Sequence, residues 1–81
     1  MRPVARRITK KIVYENHALK RMKQRAIDKS HVEAAICDPL TRKPAKRRGA
    51  VRITYEISQH EKLNVIIEET SEFIRVVTTW I

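Results

Sequence analysis

The sequence predicts an α+β domain in which two N-terminal helices pack on a three- to four-stranded antiparallel meander. Apolar residues recur at helical spacing in the first half, while three later segments alternate strictly between apolar and polar residues. The connections between those segments are short enough for hairpins. An 81-residue chain is long enough for one domain, here spanning 1–81, and buries only about 60% of its unfolded surface.

Residues 1–9 are basic and are expected to form a flexible N-terminal segment. Residues 10–14 read as a short strand or extended lead-in, with Ile12 and Tyr14 on one side and Val13 on the other. The first helix is expected over about 16–27, with Asn16 as N-cap and His17 as its first residue. Ala18, Leu19, Met22 and Ala26 make its apolar stripe, and Lys20, Lys23 and Gln24 lie opposite. Ser30 and Glu33 have the spacing of a capping box, which starts a second helix over about 31–38 that buries Val32, Ala35 and Ile36. Pro39 forbids its continuation, and residues 40–49 read as a basic loop stiffened by Pro44.

Strands are expected over about 50–58, 63–69 and 73–80. In the first, Val51, Ile53, Tyr55 and Ile57 share a face, with Arg52, Thr54 and Glu56 on the other. In the second, Leu63, Val65 and Ile67 point inward. In the third, Ile74, Val76, Thr78 and Trp80 share one side, which makes core packing the ordinary role for Trp80.

The net charge of +9 is unevenly spread. Residues 1–48 hold 15 Lys and Arg against 4 Asp and Glu, and residues 49–81 hold 3 against 5. One side of the folded domain should therefore be positive, a surface that attracts nucleic acid or an acidic protein. The single cysteine, Cys37, excludes an internal disulfide, and no apolar run reaches the length of a signal peptide or a membrane span, so neither is expected. A cytoplasmic protein without a membrane partner is expected.

The most informative motif is HALKRMKQRAID, residues 17–28. On a helix His17, Arg21 and Arg25 stand in one row, because residues four apart stack on the same face. Imidazole suits proton transfer near neutral pH, and a guanidinium fork suits a phosphate that gathers negative charge. Those parts fit RNA cleavage in which a 2′-hydroxyl attacks the adjoining phosphate. No spaced carboxylate cluster suggests magnesium, since Glu68 and Glu69 are adjacent and face opposite ways in a strand, so no metal or cofactor is expected. The loop cations Lys46, Arg47 and Arg48, with Arg52 on the next strand, would meet phosphates and add affinity without sequence choice. Plainer roles stand beside these. His17 could be a helix-start residue, Arg21 and Arg25 could pair with Glu56 or Glu68, and the loop could be a solvated charge run. A non-catalytic basic module that binds RNA, a ribosome or a protein is the alternative function.

HALKRM followed by QRAIDKSHVEAAICDP, with the closing strands LNVIIEE and FIRVVTTW, resembles a family of small prokaryotic proteins of unassigned function. The likeness runs from about Ile12 to Trp80. That family is grouped with RelE-like toxins and ribonucleases of the barnase–EndoU–colicin–RelE type. The resemblance implies a toxin-like, metal-independent ribonuclease acting on RNA, free or ribosome-associated, with an acidic antitoxin protein as partner. It makes His17 and Arg21 the active pair, Arg25 an auxiliary phosphate contact and Thr78 a sheet residue lining the same cleft. The chain departs from the family pattern at Ala26, where many relatives have glycine, which implies a longer first helix.

Overall fold

Five strands form one mixed sheet, with both helices on one of its faces. A computed structural model describes residues 10–46 and 48–81, so the expectations for residues 1–9 and for Arg47 lie outside the described residues. The elements are β1 (Lys11–Tyr14), α1 (Asn16–Gln24), α2 (Lys29–Cys37), β2 (Thr41–Pro44), β3 (Ala50–Glu56), β4 (Lys62–Glu69) and β5 (Phe73–Trp80). The sheet order is β1-β5-β4-β3-β2; β1 runs parallel to β5 and the other pairs are antiparallel. Among the described residues no helix is long and apolar enough to cross a membrane.

The inner faces of helices and strands meet in one buried cluster, from which Leu19 and Ala26 of the expected first stripe are left out and exposed. Ala18 and Met22 of α1 and Val32, Ala35 and Ile36 of α2 join Ile53, Leu63, Val65, Ile67, Ile74 and Val76. Ile12, Tyr14, Val51, Tyr55 and Ile57 pack against that cluster from its margin, as the alternation required.

The first helix ends at Gln24, three residues earlier than expected, and Ala26 is the reason. Ala26 adopts φ +54° and is the sole non-glycine with positive φ among the described residues. The Ile27 N–H reaches back to the Met22 carbonyl (2.8 Å) and the Ala26 N–H to the Lys23 carbonyl (3.5 Å). This pair of bonds is a Schellman termination, with Met22 and Ile27 both buried beneath it. Alanine therefore occupies a left-handed position that favours glycine, and it stops the helix instead of extending it.

The cap of α2 also differs. Asp28, not Ser30, is the N-cap, so the helix runs over 29–37. The Asp28 N–H donates to Nδ1 of His31 (3.3 Å), and the His31 N–H donates to the Asp28 carbonyl (3.0 Å). His31 takes the third-residue role expected of Glu33, and Ser30 falls inside the first turn.

Part of the expected 40–49 loop is a strand. β2 pairs with β3 through Thr41↔Thr54, Arg42↔Ile53, Lys43↔Arg52 and Pro44↔Val51. All four of its residues are exposed, so no alternation marks it. Pro44 is tolerated because β2 is an edge strand, and Arg42 and Lys43 deter pairing with another chain. β3 stops at Glu56, short of residue 58, because Ile57 and Ser58 already bond to Glu61 in the turn. The expected meander of three or four strands is thus the antiparallel part of a five-stranded sheet, closed on its far side by the parallel strand β1.

One irregularity redirects the last strand. On β4, Ile66 and Ile67 are consecutive, but their partners on β5 are Thr78 and Val76. Val77 is the extra residue of a β-bulge, which reverses the alternation beyond it. Thr79 enters the core at 0% exposure, while Trp80 lies 38% exposed. The side shared by Ile74 and Val76 therefore continues with Thr79, and Thr78 and Trp80 belong to the face without helices.

Candidate functional site

Two surfaces carry the candidate residues. The first is the exposed side of α1. His17, Lys20, Arg21 and Gln24 line a shallow groove of about 170 Å³. These residues lie three, four and seven positions from His17, the spacing that places side chains together on a helix. The structure thus brings His17 and Arg21 into one solvent-accessible, basic recess and adds Lys20 and Gln24, which sequence reasoning assigned to bulk water. Arg25 is the C-cap of α1 and does not line this groove. Among the described residues no ion pair joins Arg21 or Arg25 to Glu56 or Glu68; Glu68 pairs with Arg75 at 3.4 Å.

The second surface is the sheet face left uncovered by helices. Its central row follows from the register: Lys43, Arg52, Ile66 and Thr78 stand opposite one another on β2, β3, β4 and β5. The next row holds Thr41, Thr54, Asn64 and Trp80. Thr78 therefore joins Arg52 and does not line the His17 groove. A recess of about 520 Å³ opens here between Pro44, Ala45, Lys46, Arg52, Ile66 and Trp80. The Arg52 guanidinium lies over the Trp80 ring, 6.0 Å from its centre. Lys46 and Arg52 are thus brought together. Arg48 is exposed in the turn before β3 and does not line that recess, and Arg47 lies outside the described residues.

Charge pairing differs along this face. Arg75, towards β1, is held by Glu68 (3.4 Å) and Glu15 (3.7 Å) and stacks on Phe73. Glu69 points to the helix-covered side, where Lys10 bonds it at 2.6 Å and Arg42 approaches to 3.8 Å. The two adjacent glutamates serve opposite faces, as their places in a strand dictate. Arg52 has no ion-pair partner among the described residues, so its charge stays available beside Trp80.

Sequence reasoning missed Trp80 as a surface group, because alternation along the last strand turned it inward and no local residue announces the bulge at Val77. Ile66 lies on the face opposite Leu63, Val65 and Ile67, as the alternation left it. Among the described residues no group of three His, Cys, Asp or Glu side chains gathers in a form that could hold a metal ion.

The family model for DUF4258, a domain of unknown function, matches residues 14–81. The chain belongs to the DUF4258 family. No curated protein and no solved structure matches it. The DUF4258 match begins at the last residue of β1 and covers both helices and β2 to β5. Both candidate surfaces therefore lie within the DUF4258 domain.

Proposed function

We propose that this DUF4258 domain is a metal-independent endoribonuclease of the toxin type. The observation that carries the reading is the shared groove of His17 and Arg21, open to solvent and flanked by Lys20. In the proposed reaction the His17 imidazole accepts the proton of a ribose 2′-hydroxyl, whose oxygen attacks the adjoining phosphorus. The bond from phosphorus to the 5′-oxygen breaks, and that oxygen takes a proton from water. A 2′,3′-cyclic phosphate and a 5′-hydroxyl result. Arg21 donates to the non-bridging phosphate oxygens as their charge grows, and Lys20 and Arg25 hold neighbouring phosphates. The resemblance to RelE-like toxins adds the role of toxin, with an acidic antitoxin drawn to the net charge of +9.

The test is cleavage of 5′-labelled single-stranded RNA by nuclease-free protein, with free RNA in EDTA and with ribosome-bound RNA in magnesium buffer. His17→Ala and Arg21→Ala should each lower the rate by about 10²-fold or more while circular dichroism stays unchanged. Equal cleavage by wild type and both variants, or none by any of them, would defeat the reading.

A second reading, a non-catalytic RNA-binding module, is favoured by the position of Lys46 and Arg52 on the uncovered sheet face. It expects salt-dependent binding with the RNA left intact.

A further inference from the structure

We infer that the uncovered sheet face is a binding site for single-stranded RNA in which Trp80 stacks on an unpaired base. The inference rests on RNA being the ligand, as proposed above, and assigns its contact to a surface separate from the His17 groove.

The case begins with the cost of the arrangement. Indole is the largest apolar side chain, and the bulge at Val77 carries it out of the core to 38% exposure. The recess beside it combines Ile66, Pro44 and Ala45 with the cations Arg52 and Lys46, so apolar contact and positive charge occur together. Arg52 stacks on the ring at 6.0 Å without a carboxylate partner among the described residues. Lys46 lines the same recess, and Lys43 stands opposite Arg52 in the register.

An aromatic plane beside unpaired cations is what unpaired nucleotides require. A base offers a π-face to indole, and its flanking phosphates are met by guanidinium and ammonium. In a duplex the bases are stacked on one another and closed to such a ring. The neighbouring row supplies polar contacts. Thr54 Oγ1 donates to Asn64 Oδ1 (3.4 Å), which leaves the Asn64 amide N–H groups as donors on the face that Trp80 shares. Thr78, one row away and opposite Ile66, offers a hydroxyl. The recess of about 520 Å³ falls in the size range of small-ligand pockets and takes a nucleotide. On this site one base lies against Trp80, Arg52 reaches the adjoining phosphate, and Lys46 and Lys43 follow the backbone on towards β2.

The chain has one tryptophan, so its own fluorescence reports the contact. Titration of His17→Ala protein, which leaves the RNA intact under the proposed chemistry, with a single-stranded twelve-nucleotide RNA should quench that emission saturably. The same RNA annealed to its complement should quench it far less. With fluorescein-labelled RNA, anisotropy should show Trp80→Ala and Arg52→Ala each binding at least about fivefold more weakly. Trp80→Phe should retain most of the affinity. Lys23→Ala, which removes a cation on α1 outside both recesses, should bind like the parent. Equal quenching by duplex, an unchanged affinity in Trp80→Ala, or an equal loss in Lys23→Ala would overturn the assignment. The outcome is separable from that for catalysis: His17-dependent cleavage without quenching rejects the stacking site alone, and saturable quenching without cleavage rejects the nuclease alone.

Discussion

The N–H of Ile27 closes onto the carbonyl of Met22 at 2.8 Å, and the residue between helix and closure, Ala26, is forced to φ +54° to allow it. A Cβ in the left-handed region costs roughly 1–2 kcal/mol, partly offset because alanine restricts the unfolded chain more than glycine does. Ala26→Gly should therefore stabilise the domain by about 0.5–1 kcal/mol, raising the melting temperature by a few degrees for a chain of this size. Ala26→Val should lower it. Calorimetry that finds the glycine variant less stable than wild type would refute the strain argument.

Arg21 and Lys20 sit in the same groove, so charge alone does not distinguish the role assigned to Arg21. Arg21→Lys keeps the charge and loses the two-pronged donor. RNA cleavage by that variant should fall between wild type and Arg21→Ala. Full activity in the lysine variant would reduce Arg21 to a general electrostatic contribution.

The reversal at Val77 gives adjacent threonines opposite fates. Thr79 is fully buried, and its Oγ1 has no hydrogen-bond partner among the described residues. An orphaned buried hydroxyl costs about 1–3 kcal/mol, so Thr79→Val should stabilise the fold by about 1 kcal/mol in urea denaturation. Thr78→Val, on the open face, should change stability by less than about 0.5 kcal/mol. A destabilised Thr79→Val protein would mean that the hydroxyl is satisfied.

Tyr14 carries an alkaline signature. Burial, and secondarily the nearby Glu33 carboxylate, push its phenol up from 10.0 to about 12. The folded state then holds a proton that the unfolded state has released. The contribution is fully present below pH 10 and disappears as the pH rises towards 12. Wild type should lose more stability than Tyr14→Phe across that window, measured by denaturant titration at successive pH values. Equal declines in the two proteins would count against the assignment.

The sequence disclosed whatever depends on short-range periodicity. His17, Arg21 and their groove follow from helical spacing alone, and Ile53, Leu63, Val65 and Ile67 follow from strand alternation. What stayed hidden needed information from elsewhere in the chain. Nothing near Thr41–Pro44 reveals a strand, because an edge exposed on both faces has no reason to alternate. The parallel union of β1 with β5 joins residues some sixty positions apart. Asp28 and Ser30 both have capping chemistry, and Asp28 takes the role with His31 as its third-residue partner, a pairing that the Ser30–Glu33 spacing did not reveal. The inside-to-outside exchange at Val77 is a property of the pairing with β4, so β5 alone gave the wrong face for Thr78 and Trp80.

That single unpaired residue separates two design problems that strands ordinarily share. Before it Ile74 and Val76 face the helices, and beyond it Thr79 does, so those positions vary only within close volume limits. Trp80, on the open face, can be exchanged with that interior left intact. The open face can thus change at position 80 while the interior stays the same.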